Sequence, residues 1–187
     1  MKIFSPSVVF LLICGALCAL ETAVAWNTCA NNLSQPESLR PQYAARLRAY
    51  RGAAYASYGD PSGISCSGLA RRALLDLPAL RVETRRVLSD HPCESNELRR
   101  GCFGQLRQIS VASNLHSIDQ EQLQVGDLAV LGPPAAALHT LVFLGDNQWI
   151  HADPITRQVT FLEENSGRAW FVYPATILRW NALSPAD

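Results

Sequence analysis

The last third of the chain alternates apolar and polar residues with a period of two, and this pattern limits the fold more than any other sequence feature. Five short segments show it, each separated from the next by turn-forming residues. They are 127–131, 139–144, 149–153, 158–162 and 170–173, with 176–180 as a candidate sixth. The connections are too short to hold crossover helices, so the strands are expected to form an antiparallel sheet.

Helix-forming sequence precedes these strands. Pro41 can begin a helix that continues towards Gly59, and a second helix is predicted over 66–77, closed by Pro78. Residues 79–122 are rich in arginine and are expected to hold one or two short helices. Helices followed by an antiparallel sheet of five to six strands predict an α+β domain.

The first 25 residues are typical of a targeting segment. An apolar run over 8–20 follows a basic residue, and Ala23 and Ala25 form an A-x-A cleavage signal. The run is short for a transmembrane helix. We therefore expect a cleavable secretory signal peptide over 1–25 and a single domain over 26–187. The mature protein is expected to be secreted or periplasmic, without stable membrane insertion.

Four cysteines follow the expected cleavage site, and export would place them where disulfides persist. They are Cys29, Cys66, Cys93 and Cys102. Cys93 and Cys102 flank eight residues of loop-like sequence, so a local disulfide is expected between them. Cys29 would then pair with Cys66 or stay unpaired. The 16 basic and 16 acidic residues balance, which gives no indication of a nucleic-acid partner.

Cys66 lies between small residues at the start of the helix predicted over 66–77. The backbone N–H groups and the dipole at a helix N-terminus favour a thiolate, which is the nucleophilic form of cysteine. Ser65 is a suitable N-cap, and Ser67 and Gly68 leave room for a substrate. A cysteine nucleophile also needs a base, normally histidine. The alternative interpretation is a buried cysteine that only fills space in the core.

His139 and His151 lie on adjacent predicted strands, and the turn between them decides whether they can cooperate. A two-residue loop at Asp146-Asn147 would place the two imidazoles on opposite faces of the sheet. A three-residue loop that also includes Gly145 would place them on one face. The sequence leaves both registers open.

The three-residue loop would also bring Asp153 opposite His139. Asp153 is therefore a second candidate, after His151, for the residue that orients His139. The nearby Asp127 is expected to be a turn or capping residue and not a catalytic one.

The order and spacing of these segments resemble the NlpC-type cell-wall cysteine peptidases, a branch of the papain-like fold. That family shows a tyrosine, a glycine-rich turn and D-C-S-G-hydrophobic, then "L.pGDL", a strand beginning with histidine and a strand ending "iHa". The corresponding segments here are "YASYGDPSGISCSGLA" (55–70), "LQVGDLAVL" (123–131) and "HTLVFLGDNQWIHA" (139–152). The resemblance implies a papain-like NlpC-type domain.

The resemblance also implies roles for individual residues. Cys66 would be the nucleophile, His139 the general base and His151 the residue that orients the base. The Cys66 backbone N–H would contribute to the oxyanion hole, and Tyr55 would line the site.

Two positions depart from the family pattern. Ser65 stands where the family has an aspartate, and it is grouped here with Ser67 and Tyr55 as lining the substrate and oxyanion site. The spacing from Tyr55 to Cys66 is about one residue short, so Tyr58 is an alternative for the tyrosine role.

By this resemblance the protein would be a cysteine hydrolase without cofactor or metal that cuts an amide bond in peptidoglycan stem peptides through a thioester. Its partner would be the peptidoglycan peptide, and the sequence does not identify an inhibitor or immunity partner. The alternatives are a non-catalytic binding or inhibitory module on the same fold, and an acyltransferase using the same Cys-His pair. A zinc site built from Cys66, His139 and His151 is a further alternative.

Overall fold

The computed structural model describes residues 39–163 and 169–184. The predicted signal peptide over 1–25 and Cys29 lie outside these residues. Within the described part, four α-helices come first and a six-stranded antiparallel sheet follows, which confirms the predicted α+β class. The helices are α1 (Leu39–Ala49), α2 (Cys66–Leu75), α3 (Val82–Asp90) and α4 (Ser95–Arg99). The strands are β1 (Leu106–Ala112), β2 (Leu128–Leu131), β3 (His139–Gly145), β4 (Gln148–Asp153), β5 (Gln158–Glu163) and β6 (Ala175–Trp180).

The strand order in the sheet is β1-β6-β2-β3-β4-β5. Strands β2 to β5 form the predicted meander, and β6 inserts between β1 and β2. Because β5 is an edge strand, the chain must cross the sheet to reach β6. The prediction of a strand over 170–173 is wrong, because Ala169–Val172 in this connection forms a 3-10 helix.

The arginine-rich segment over 79–122 holds the two predicted short helices, α3 and α4, and also a strand that the pattern did not indicate. This strand, β1, lies at the edge of the sheet, is mostly exposed, and has a bulge between Gln108 and Ser110 where it pairs with β6. The bulge interrupts the period of two from which strands are predicted, so the sequence of β1 shows no regular alternation.

The helices cover one face of the sheet. Alternate residues of β3 and β4, such as Val142 and Ile150, pack there against α2 residues that include Leu69 and Leu74. Complete burial of a leucine side chain contributes about 2 kcal/mol, so this contact is a major source of stability. Buried hydrogen bonds also connect the layers: the Tyr43 hydroxyl donates to the Ala70 carbonyl at 3.0 Å.

The opposite face of the sheet has its own apolar cluster. Leu141 and Phe143 of β3 and Trp149 of β4 pack there against Phe171 from the connection that crosses the sheet. The aromatic residues near 170 are therefore used to cover this face and not to extend the sheet.

A buried ion pair joins β2 and β6 near one end of the sheet. The Arg179 guanidinium donates to both carboxylate oxygens of Asp127, at 2.7 and 2.6 Å. The same guanidinium donates to the Gln122 carbonyl, and the Gln124 N–H donates to the Asp127 carboxylate. Asp127 thus has a structural role, in the turn that leads into β2.

Candidate active site

Cys66 is the first residue of α2 and carries a free thiol that is partly exposed. Ser65 is the N-cap, as predicted: its backbone is extended, and its hydroxyl accepts a hydrogen bond from the Gly68 N–H at 3.1 Å. Cys66 therefore lies at the helix end where backbone N–H groups have no intrahelical acceptors. The side chain is neither sealed in the core nor joined in a disulfide.

The chain enters α2 through a closely packed turn. Ile64 forms a parallel bridge with Tyr55, and a Cβ at Gly63 would lie 2.5 Å from the Ala54 carbonyl oxygen. Only glycine permits this approach without a shift of the backbone. The contact holds the tyrosine segment against the residues that precede Cys66.

A cleft of about 180 Å³ opens beside Cys66. Tyr55 and Tyr58 both line it, so the structure brings both candidates for the tyrosine role close to Cys66. Ser65 and Ser67 also line this cleft. The cleft is open to solvent, which leaves the thiol accessible.

The hairpin between β3 and β4 combines the two predicted turns. Asp146 and Asn147 form a two-residue turn, both with positive φ (48° and 58°), as a type I′ turn requires. Gly145, at φ 91°, pairs with Gln148, and the register shifts by one residue between Phe143 and Gly145. This bulge restores the pairing expected from the three-residue loop, which places His139 and His151 on one face.

The two imidazoles form a buried hydrogen-bonded pair. The His139 Nε2 and His151 Nδ1 atoms are 2.7 Å apart, and the two residues are 2% and 1% exposed. The Trp170 indole stacks on the His139 ring, with ring centres 4.1 Å apart, and meets the His151 ring edge-on. Trp170 thus separates the imidazole pair from water on that side.

The surroundings keep His139 neutral at pH 7. Burial, followed by the charge of the neighbouring His151, lowers the pKa of His139 to about 3, and the Asp153 carboxylate opposes this shift. A neutral imidazole has one nitrogen able to accept a proton. The other ring nitrogen of His139, Nδ1, has no hydrogen-bond partner among the described residues, which leaves it available to a proton donor.

Asp153 lies on the same face of the sheet as the imidazoles, but its carboxylate is hydrogen-bonded within the turn that follows β4. Its carboxylate accepts hydrogen bonds from the N–H groups of Ile155 and Thr156 and from the Thr156 hydroxyl. Burial alone would raise the pKa of Asp153, but these bonds and the charge of His151 hold it below its ordinary value. Asp153 therefore acts on the pair as a buried negative charge, and His151 is the residue in direct contact with His139.

Cys66 and His139 approach the same end of β3 from different sides. Ala137, two residues before His139, lines the Cys66 cleft. The Cys66 Sγ atom lies 3.6 Å from the Ser95 hydroxyl, which is 2.9 Å from the hydroxyl of Thr140, the neighbour of His139. His139 itself faces the cluster opposite the helices, and within the described residues no hydrogen bond joins it to Cys66. In structures without substrate, the hydrogen bonds of a candidate base are often long or poorly aligned.

Helix α4 connects Cys66 to the loop that precedes His139. The predicted disulfide Cys93–Cys102 is present and encloses this helix. Ser95 at the start of α4 contacts the thiol, and Asn96 accepts a hydrogen bond from the Ala137 N–H at 2.8 Å. Arg99 at its end donates to carbonyls of the next loop, including those of Pro133 and Gly132. One short helix thus touches both halves of the site.

Sequence reasoning did not identify Ser95, Arg99 or Trp170 as parts of the site. The region around Ser95 and Arg99 has no periodicity, and only the cysteine spacing indicated that it is held in place. Trp170 falls in the segment predicted as a strand over 170–173, and its stacking on His139 depends on the course of the connection between β5 and β6.

The described residues contain neither a cluster of metal-ligating side chains nor a membrane-spanning helix. No group of three or more His, Cys, Asp and Glu side chains there is arranged to hold a metal ion, so nothing in that part supports the zinc alternative. None of the helices in residues 39–163 and 169–184 combines the length and the apolar character needed to cross a membrane.

Comparisons with known proteins agree with this architecture. No curated protein matches the chain, but the NlpC/P60 family model matches residues 52–173. An N-acetylmuramoyl-L-alanine amidase from Bacteroides uniformis is 10% identical, with a TM-score of 0.54 over 75% of this chain and 97% of that one. An NlpC/P60 family protein from Bacillus cereus is 18% identical, with a TM-score of 0.51 over 78% of this chain and 41% of that one. The peptidoglycan hydrolase RipB from Mycobacterium tuberculosis is 20% identical, with a TM-score of 0.49 over 77% of this chain and 67% of that one.

The two matches above a TM-score of 0.5 show a shared fold, at identities too low to carry more than that. The family match covers well over half of the chain and spans Cys66, His139 and His151. The chain therefore belongs to the NlpC/P60 family.

Proposed function

We propose that the protein is a cysteine hydrolase of the bacterial cell wall that cleaves an amide bond in peptidoglycan stem peptides. One observation carries the proposal: a free thiol at the N-terminus of α2 opens into a cleft, and a neutral imidazole with an unpaired nitrogen begins the adjacent strand. Family membership supports it, because the matched region contains Cys66, His139 and His151. A protein with the same fold is an N-acetylmuramoyl-L-alanine amidase.

In the proposed mechanism, His139 Nδ1 takes the proton of the Cys66 thiol. The thiolate attacks the amide carbon, and the negative charge on the carbonyl oxygen is stabilised by the Cys66 backbone N–H. The C–N bond then breaks as His139 returns the proton to the leaving nitrogen. A thioester between Cys66 and the acyl group remains.

Hydrolysis of the thioester completes the cycle. His139 takes a proton from water, the hydroxide attacks the thioester carbon, and the C–S bond breaks to release a carboxylic acid and the thiol. The mechanism requires a neutral His151, because a protonated imidazole cannot accept a hydrogen bond. His139 then carries its proton on Nε2 and donates it to Nδ1 of His151 across the 2.7 Å contact. His151 thus fixes the ring so that the lone pair is on Nδ1.

Proton transfer requires the thiol to leave its contact with Ser95 and to form a hydrogen bond with His139. Sγ contacts the Ser95 hydroxyl, and it must move from that contact towards His139 Nδ1. The partly exposed cleft leaves room for rotation about the Cα–Cβ bond, and three staggered rotamers are available to a cysteine. Substrate in the cleft would favour the productive one.

The test is mass spectrometry of purified muropeptides after incubation with wild type and with Cys66→Ala. Wild type should release two fragments whose combined mass exceeds that of the substrate by one water. Cys66→Ala should be slower by at least about 10³-fold, with an unchanged melting temperature because the side chain is partly exposed. Unchanged turnover in this variant would remove Cys66 from the mechanism.

Two further experiments distinguish hydrolysis from the alternative functions, acyl transfer and binding without catalysis. Adding a primary amine as acceptor distinguishes acyl transfer, which would give an amide product, from hydrolysis. Alkylation by iodoacetamide at neutral pH distinguishes a reactive thiol from the inert one expected of a pure binding module. Export by a signal peptide over 1–25 is also part of the proposal, and N-terminal sequencing of the secreted protein would test it.

A further inference from the structure

A second lobe extends the cleft beyond Cys66, and the proposed mechanism does not use it. It has a volume of about 220 Å³ and shares Ser57, Tyr58 and Ser65 with the lobe that contains the thiol. Arg71 and Arg72 line it, together with a single carboxylate, that of Asp60. The Asp60 carboxylate accepts a hydrogen bond from the Ser62 N–H.

The Arg71 side chain is held in place but keeps free donors. Its Nε donates to the Leu88 carbonyl at 2.6 Å, and one terminal nitrogen, Nη2, lies 3.5 Å from the Ser89 carbonyl. The other, Nη1, has no hydrogen-bond partner among the described residues. A guanidinium whose Nε edge is held by hydrogen bonds is preorganised to bind an anion through its remaining N–H groups.

The two lobes differ in charge. Glu94 lines the thiol lobe, whereas the second lobe has two arginines against one aspartate and is therefore net positive. Tyr58 lies at the junction, since it lines both lobes. A peptide that lies across the cleft would meet an acidic environment near the nucleophile and a basic one further along α2.

The position of the arginines limits which part of a substrate they can reach. Arg71 and Arg72 follow Cys66 by five and six residues on α2, which places them about 7.5 to 9 Å from it along the helix axis. An extended peptide covers about 3.3 to 3.6 Å per residue. The two arginines therefore lie about two to three residues from the bond being cut.

We propose that this lobe is a carboxylate subsite, in which Arg71 binds a carboxylate of the substrate about two to three residues from the scissile amide. Arg72 adds positive charge, and the planar guanidinium matches a carboxylate with parallel hydrogen bonds. The inference rests on the proposed function, since it names a recognition element of the same cleft. Ionised side-chain and terminal carboxyls of stem peptides are the chemical class that fits.

The experiment compares a cleaved muropeptide with forms in which each carboxyl group near the scissile amide is converted singly to a carboxamide. For one of these groups, wild type should favour the free carboxylate by about 10- to 100-fold in kcat/KM, mainly through KM. Arg71→Gln should lose this preference. Because a loss of folding stability affects both forms alike, the ratio reports the subsite alone.

Arg85→Gln is the matched control. Arg85 also joins α2 to α3, donating to the Leu75 and Leu77 carbonyls, but it does not line either lobe. It should keep the wild-type preference. No preference in wild type for any of the carboxylates, or an unchanged preference in Arg71→Gln, would overturn the subsite while leaving hydrolysis established.

If wild type cleaves no muropeptide, the proposed function fails, and the subsite is tested by calorimetry on Cys66→Ala with the same set of peptides. Tighter binding of one carboxylate form, lost on adding Arg71→Gln, supports the subsite without catalysis. Equal affinities, or no binding of any form, count against it.

Discussion

Two buried pairs of titratable side chains lie in the same sheet, and they differ in how completely they are satisfied. In the Asp127–Arg179 pair, two direct hydrogen bonds join the charges, and backbone groups of the 122–124 segment bind both partners. In the His139–His151 pair, one hydrogen bond joins the rings, and His139 keeps a nitrogen without a partner in the described residues. Both oxygens of Asp127 and the Nε and Nη2 donors of Arg179 are engaged in this network, whereas Nδ1 of His139 is left open in the described part of the chain.

The comparison distinguishes buried polar groups that stabilise the fold from buried polar groups that are available for a reaction. A buried charge is tolerated when it is paired and fully hydrogen-bonded, and such a pair then resists change. A buried neutral imidazole can leave one nitrogen unbonded at a smaller cost, and this atom can accept a proton. Burial alone does not identify a catalytic group; an unfilled hydrogen-bonding position beside a cleft is more informative.

The largest expected effect is on catalysis at the imidazole pair. His139→Gln keeps a polar side chain of similar size but removes the base, so kcat/KM on muropeptides should fall by at least about 10³-fold. Steady-state kinetics on wild type and variant measure the loss. Retention of more than a tenth of wild-type activity would show that the unpaired nitrogen is not the base, and the contrast between the two pairs would then be lost.

The next effect is on stability, at the ion pair. Arg179→Met leaves the Asp127 carboxylate buried without its partner and should lower the free energy of unfolding by about 3 to 5 kcal/mol. Urea denaturation measures it, and kcat at a temperature where the variant is folded should change little. Arg86→Met is the control, because its pair with Asp90 is exposed and should contribute less than about 1 kcal/mol. A similar loss in both variants would contradict the structural role of the buried pair.

The smallest effect is a pH dependence at His139. Its pKa is about 3 in the folded protein and about 6.5 in an unfolded chain, so below pH 6.5 the unfolded state binds a proton that the folded state does not. The free energy of unfolding should therefore fall by about 1 to 2 kcal/mol between pH 7.5 and pH 5, and this part should be absent in His139→Gln. Urea titrations of both proteins at the two pH values give the difference. Parallel pH profiles would show that His139 is not held neutral by burial.

The sequence was sufficient for the parts of the fold that repeat a simple pattern. Strands β2 to β5 lie within one residue of the predicted segments, and α2 begins at its N-cap, as local chemistry requires. The four aromatic and aliphatic residues at 170–173 look equally strand-like, yet the meander places β5 at an edge and β6 elsewhere. Trp170 and Phe171 cover the sheet instead, and this outcome depends on topology that local pattern does not contain.

The candidate site shows the same division. Cys66, His139 and His151 could be named from residue type and spacing, because a helix end and a hairpin are local structures. Ser95 could not, because its place beside the thiol depends on the Cys93–Cys102 bridge and on long-range contacts of α4. Residues that hold a site together across the chain have no local signature.

The bulge at Gly145 makes the length of the β3–β4 turn more important than its composition. Deletion of one residue from this turn would reverse the face to which each β4 side chain points. His151 would then point towards α2, and Ile150 would point away from it. Many substitutions in this turn would be harmless by comparison. Surface loops usually accept insertions and deletions, but this turn should tolerate them less often than substitutions. In a library of turn-length variants, active proteins with a changed turn length should therefore be rare.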